Sequence, residues 1–295
     1  MKILGLNAYH GDSSACLVVD GKLISAAEEE RFRRIKHWAG FPSEAIRFCV
    51  KNAGLKIHEI DYIAINRRPA AHLLKKVLYA FSKNPSAQLI SERLQNSAKI
   101  QDIRLLISNL FQLEPKSLRT RIHYVEHHRA HLGSSFYVSP FSSAAILSVD
   151  GFGDFVSAMW GSGAGRQMKV MDEVFFPHSL GLFYLAMTQY LGFLNYGDEY
   201  KVMGLAPYGK PFFMDEMHRI VKLKDGGKFE LNLDYFLHHA EGVSMTWEDG
   251  EPKIGRAYSD QLIELLGDSR NPDEPILKRH EDIAASLQAI YEETF

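Results

Sequence analysis

One pattern occurs twice in this chain and restricts its fold more than any other feature. Lys2–Asn7 reads as a strand and His10-Gly11-Asp12-Ser13 supplies turn formers. Ala15–Val19 is an apolar strand, Asp20-Gly21 is a two-residue hairpin signal, and Lys22–Ala26 returns. With Ile3 set against Ile146, an offset of 143 residues, the order repeats. Ala144–Val149 is a buried strand, Asp150-Gly151-Phe152-Gly153-Asp154 a tight turn, and Phe155–Trp160 and Gln167–Val174 the next two strands. Identity between the two stretches is slight, and any α/β protein can hold two hairpins. The shared order, with an acidic turn after the first strand each time, points to duplicated α/β lobes. The first spans residues 1–142 and the second 143–295.

Between these units the period changes. Ile46, Cys49, Val50 and Ala53 fall on one face of a helix from Ser43, which can cap it, to Ala53, with Gly54 as the stop. Asp61–Asn66 reads as a strand. Residues from about Ala70 to Leu113 read as helical with a break near Asn84-Pro85. An apolar helix follows Gly181, then a polar loop from Asn195 to Lys201. The Gly-, Asp-, Glu- and Pro-rich stretch 223–273 reads as an insertion with one hairpin strand, Lys228–Leu233. The end carries an apolar helical stripe, Ile283, Leu287, Ile290, Tyr291 and Phe295, without a stop signal, which is expected to need a partner surface.

Composition removes several classes. Of 295 residues, 46% are hydrophobic and 24% charged, the balance expected of a soluble globular protein, with no disordered or collagen-like bias. A net charge of −2 gives no electrostatic case for nucleic acid or an anionic membrane. Cys16 and Cys49 lack metal or redox spacing, and a reducing cytoplasm is expected. The start has no signal-peptide pattern, and Leu180–Leu194, interrupted by Thr188 and Gln189, is too short to span a bilayer.

The densest chemical signal is His123–His131, HYVEHHRAH, with four histidines in nine residues. His127 and His131 share one face of a helix, one turn apart. Such a pair can hold a divalent metal or be an ordinary histidine-rich patch. The glutamate of H-E-x-x-H peptidases is missing. Asp150, at the end of a buried strand, offers a third ligand, and two His plus one Asp suit Fe(II), Mn(II) or Zn(II) better than Mg(II) or Ca(II). Gly151 and Gly153 can bring backbone N–H groups to an anion, or make a plain hairpin turn. His10 and Asp12 occupy the equivalent first turn. The charge run Glu28–His37 reads as a solvated face, with Lys36 able to neutralise a phosphate only in the right context. Asp198–Gly209, polar and glycine-punctuated, is a loop of the kind that carries function.

Together, NAYHGDSSACLVVDG, EEERFRRIKHWAGFP, EHHRAHLGSSF, SVDGFGD and GDEYKVMGLAPYG, in this order, resemble the carbamoyltransferase family of nodulation-factor and antibiotic O-carbamoyltransferases. The resemblance runs from Lys2 through Gly209 and less distinctly onward. It implies a duplicated actin-like ATPase (ribonuclease H-like) fold similar to the tRNA threonylcarbamoyl transferase domain. It also implies a two-part reaction. A carboxyl-terminal domain makes carbamoyl-adenylate from carbamoyl phosphate and ATP, and the amino-terminal part passes the carbamoyl group to a small-molecule or saccharide hydroxyl. By the family pattern His127, His131 and Asp150 match metal ligands, for Fe(II) first and Mn(II) or Zn(II) as alternatives. His10 matches a catalytic histidine, here a general base. Lys36 matches a nucleotide-contacting lysine, and Gly151, Gly153 and Asp154 would let adenylate approach the backbone. Family members run to about twice this length. The expectation is therefore a partial enzyme whose second lobe is incomplete and whose adenylate-forming domain is missing. A non-enzymatic actin-like nucleotide-binding module and a metallohydrolase are the competing readings.

Overall fold

Alternation builds the first sheet. Every second side chain of Lys2–Asn7 (β1) points inward, burying Leu4 and Leu6. The same period buries Ala15 and Leu17 of Ser14–Val19 (β2), which a hairpin joins to Lys22–Glu28 (β3). The computed structural model describes residues 1–83, 103–240, 245–246 and 250–295. Two short helices follow, Glu30–Arg33 (α1) and Ser43–Asn52 (α2), then Tyr62–Ile65 (β4) and the helices Leu73–Lys83 (α3) and Ile103–Leu110 (α4). Arg121–Tyr124 (β5) leads directly into His127–Phe136 (α5). The break expected near Asn84-Pro85 lies outside the described residues.

The chain divides into two compact units. The first holds the described parts of Met1–Ala71, Ala87–Ala130 and Met245–Lys253; the second those of His72–Ser86, His131–Ser244 and Ile254–Phe295. The division falls inside α5. In the first unit the sheet order is β3-β2-β1-β4-β5. β1, β2 and β3 are antiparallel, while β4 and β5 run parallel to β1. The three parallel strands therefore end side by side, the edge where α/β sheets gather ligands. Ala45, Ile46, Cys49 and Val50 of α2 and Ile103 and Ile107 of α4 join Leu4, Leu17, Ile63 and Ile65 in one core.

Two sequence expectations change here. Ser43 does not cap α2; the carboxylate of Glu29 does, accepting from the N–H groups of Glu44 at 3.2 Å and Ala45 at 2.8 Å. Nor is Glu28–His37 a solvated face throughout, because Glu29 is fully buried and Glu30 nearly so. A buried carboxylate survives when a helix N-terminus and a cation satisfy it, and Arg33 Nε supplies the cation at 2.9 Å.

The second unit contains an antiparallel meander, Ser143–Gly153 (β6), Val156–Ala164 (β7) and Gln167–Phe175 (β8). Its first hairpin keeps the register of the first unit: Ile3 pairs with Val18, and the residues 143 further on, Ile146 and Gly161, pair with each other. The turn is displaced from the expected one. β6 runs on through Gly153 across an irregularity after Val149, and Asp154 and Phe155, at φ of 52° and 82°, make the reversal. Left-handed backbone sits at an Asp and a Phe, not at Gly151 or Gly153, as glycine rules alone would place it.

Leu180–Tyr190 (α6) is buried almost all round, with Ser179 as its cap. Its polar Gln189 pairs with the backbone of Gly255 and Ala257, which removes the cost of burying an amide. Glu199–Leu205 (α7), Met214–Ile220 (α8) and a two-stranded hairpin, Val221–Lys224 (β9) with Lys228–Leu231 (β10), come next. Met245–Thr246 (β11), Lys253–Ile254 (β12), Asp260–Leu266 (α9) and Lys278–Thr294 (α10) complete the described chain. The α10 stripe is a correction. Ile283, Leu287 and Ile290 are fully buried, with α10 packed on α8, α7 and α6, so they need no outside surface. Phe295 stays exposed and stacks on Tyr291.

Candidate functional site

The helix carrying the histidines begins at His127 because Glu126 caps it. The Glu126 carboxylate accepts from the N–H groups of His128 at 3.1 Å and Arg129 at 2.8 Å. α5 runs unbroken from there, so its own geometry fixes His131 one turn beyond His127. Leu132 and Phe136 of the same helix pack on Ile146, Val156 and Met159, seating α5 against the meander.

This brings His131 Nε2 to 3.4 Å from Asp150 Oδ2. His127, one turn back on the same helix, supplies a further imidazole. His127 is buried, Asp150 partly so, and His131 exposed. Asp150 is held from below. Its carbonyl accepts from the Ser179 hydroxyl at 3.0 Å, and Gly181 of α6 lies so close that a Cβ there would come 2.7 Å from Gly151 N. Asp150 Oδ1 accepts from Gly151 N–H at 2.6 Å. A Cβ on Gly151 itself would meet nothing within 4 Å.

His10 stands in the turn after β1, its ring centroid 5.5 Å from that of His127. His127 Nδ1 lies 3.2 Å from the Asn66 carbonyl, which can only accept, so Nδ1 carries a proton. Of the remaining histidines, His128 is fully buried and His123 sits in β5 against the Tyr62 ring.

Lys36 is mostly exposed, with Nζ 3.2 Å from Glu30 Oε1. The other Glu30 oxygen accepts from His37 N–H at 3.0 Å, and His37 Nδ1 meets Asp12 Oδ1 at 2.8 Å. Lys36 is thus tied through Glu30, His37 and Asp12 to the turn that bears His10. Burial pushes the Glu30 carboxyl up, but the His37 N–H and the Lys36 ammonium outweigh it and hold the group below the ordinary glutamate value. Asp12, Glu30 and His37 group donor atoms within 4.8 Å, yet these oxygens already serve His37 and Lys36, so the group is an internal strut.

The Asp198–Gly209 segment is structural among its described contacts. Asp198 is buried, accepts from Asn195 N–H and pairs with Lys201 Nζ at 2.6 Å, which raises the lysine's pKa. A Cβ on Gly209 would overlap the backbone of Glu281 in α10. What sequence reasoning missed are the supports: Asn7, Asn66 and Glu126 in the first unit, and Ser179 and Gly181 in the second. The local signals are Glu126 and Ser179, each standing just before a helix.

The family model Carbamoyltransferase N-terminus matches residues 2–295. The chain belongs to the carbamoyltransferase family. Among curated proteins it is 38% identical over 298 residues to sll1178 of Synechocystis sp., covering 98% of this chain and 46% of that protein. It is 34% identical over 288 residues to the nodulation protein NolNO of Sinorhizobium fredii, covering 97% of this chain and 37% of that protein. The chain thus spans less than half the length of these relatives. Among solved structures, YeaZ from Pseudomonas aeruginosa gives a TM-score of 0.33 at 14% identity, over 60% of this chain and 67% of that one. No helix among the described residues is long and apolar enough to cross a membrane.

Proposed function

We propose that this chain is the metal-dependent, acceptor-binding part of an O-carbamoyltransferase. It would move a carbamoyl group from carbamoyl-adenylate, made from carbamoyl phosphate and ATP, to an acceptor hydroxyl. The observation that carries this reading is the His131–Asp150 pair, with His127 one turn back on the same helix and His10 beside His127, in a chain of this family. The donor set fits a divalent transition metal, Fe(II) first and Mn(II) or Zn(II) next. Two donors each about 2.1 Å from one ion stand roughly 3.4 Å apart, the separation of His131 and Asp150. When bound, the ion supplies a Lewis acid.

The rest belongs to the chain. His10 takes the acceptor's hydroxyl proton, the acceptor oxygen bonds to the carbamoyl carbon, and the bond from that carbon to the adenylate phosphate oxygen breaks, releasing AMP. Lys36 offsets phosphate charge, and the open backbone at Gly151, with Gly153 and Asp154 beyond it, admits the adenylate. The hairpin register shared at an offset of 143 residues, and the β3-β2-β1-β4-β5 order, support the reading of a duplicated actin-like fold.

The test supplies labelled carbamoyl phosphate, ATP, Fe(II) and a panel of hydroxyl acceptors. The chain is mixed with the carboxyl-terminal part of the Synechocystis relative. A labelled carbamate ester that is lost with His10→Ala and with Asp150→Ala supports the proposal. Acceptor-independent release of labelled carbon dioxide would make the chain a hydrolase, and nucleotide binding without metal or turnover would make it a binding module.

A further inference from the structure

The two histidines given work above, His10 and His127, each turn Nδ1 to a backbone carbonyl: His10 to Gly11 O at 3.4 Å and His127 to Asn66 O at 3.2 Å. These two carbonyls are joined by one pair of side-chain amides. Asn7 Nδ2 donates to Gly11 O at 3.2 Å and to Asp12 O at 3.0 Å, and Asn66 Nδ2 donates to Asn7 Oδ1 at 3.1 Å. We infer that Asn7 and Asn66 form a positioning pair that sets the ring orientation and tautomer of His127 and His10 together.

The topology places the pair. Leu6 pairs with Ile65 in the parallel β1–β4 ladder, so Asn7 and Asn66 are the next residues at the ends of adjacent strands. Asn66 N–H donates to Leu6 O, and Val125 N–H to Ile65 O, two residues before His127. The turn that Asn7 clamps holds Tyr9 and Asp12 at φ of 57° and 59°, conformations that L residues rarely adopt unless held. Only an amide can do both tasks of residue 7, donating to two carbonyls and accepting from Asn66. The residue 143 further on is Asp150, at the same point of the matching hairpin. One of the two matching positions thus carries the third donor of the proposed metal group, and its counterpart carries a neutral amide that bonds carbonyls. An aspartate at position 7 would set an oxygen against Gly11 O and Asp12 O.

The metal half of this inference rests on the proposed function; the tautomer half does not. The experiment uses the metal-free chain with Asn7→Asp, Asn66→Ala and, as a control for general loss of stability, Asn232→Ala, whose side chain caps a turn in the second unit. Long-range proton–nitrogen NMR of the imidazoles reads each tautomer, and a Co(II) titration reads metal affinity. The parent is expected to hold His127 in one Nδ1–H tautomer. Both Asn7→Asp and Asn66→Ala should give mixed tautomers and about a 10–100-fold loss of Co(II) affinity, the usual effect of an outer-shell change. Asn232→Ala should change neither. If the parent binds no Co(II), the metal reading fails, and the tautomer shift alone decides whether the pair positions His127. Should Asn7→Asp fail to fold, Asn66→Ala decides, since it deletes one donor only. Parent-like tautomers and Co(II) affinity in the folded variants would overturn the inference and leave the pair a plain turn closure.

Discussion

His131 Nε2 and Asp150 Oδ2 stand 3.4 Å apart, joining the second turn of α5 to the strand β6. Nothing in the local chain brings them there; the contact exists because Leu132 and Phe136 seat the helix on the meander. The proposed metal site adds to this pair His127, one turn back on α5. At Co(II) of about 100 times Kd the chain should gain roughly 2.7 kcal/mol of stability. Excess EDTA should abolish the gain, and His131→Ala and Asp150→Ala should not show it. Urea unfolding with and without metal measures this, and an equal gain in Asp150→Ala would show that the ion binds elsewhere.

Gly181 is predicted to matter for the same site. A Cβ at this position would stand 2.7 Å from Gly151 N and 2.8 Å from the Asp150 carbonyl carbon, so Gly181→Ala must push α6 away from the strand end. The expected cost is about 1–3 kcal/mol, with weaker Co(II) binding. Gly204, in α7, has nothing within 4 Å of its would-be Cβ. Gly204→Ala should gain up to about 1 kcal/mol from helix propensity. Denaturant midpoints of the two variants should move in opposite directions.

Glu29 anchors the start of α2 from outside the helix. Glu29→Ala would leave the Ala45 and Glu44 N–H groups and the Arg33 guanidinium without their carboxylate. A loss of about 2–3 kcal/mol is expected, since bonds to a charged buried group are the costly ones to break. Glu29→Gln keeps one acceptor oxygen and should lose less. Thermal unfolding of the two variants distinguishes them, and equal losses would show that the charge is irrelevant.

Acid should loosen the second unit through His280. Burial, with Arg279 and Arg270 nearby, lowers this imidazole's pKa from 6.5, and its Nδ1 accepts from Leu277 N–H at 3.1 Å. The folded state therefore prefers the neutral ring. The sign follows: the stabilising contribution is fully present above about pH 6.5 and is lost as pH falls toward the depressed value. Melting temperature should fall more between about pH 7 and pH 5 in the parent than in His280→Gln. Parallel profiles would assign the acid sensitivity to other groups.

Local pattern made much of this fold legible. Period-two burial of Leu4, Leu6, Ala15 and Leu17, the Asp20-Gly21 turn and the i, i+4 spacing of His127 and His131 are properties of neighbouring residues. Each element is correspondingly found where its pattern stands. The reversal after β6 was misplaced because glycine marks where left-handed backbone is cheap, while Asp154 and Phe155 adopt it in this hairpin. The Glu28–His37 run was misread because a charge pattern reports no partners: Glu29 is buried by a helix beginning fourteen residues later.

The sequence alone determined which side chains each strand and helix presents on each face, since those faces repeat with the backbone's own periods of two and 3.6 residues. Tertiary structure decided what each face meets. It set Asp150 against His131, Asn7 against Asn66, and the Ile283–Leu287–Ile290 stripe against the chain's own helices. Those meetings depend on strand order and helix seating, long-range contacts whose geometry no short stretch of residues encodes.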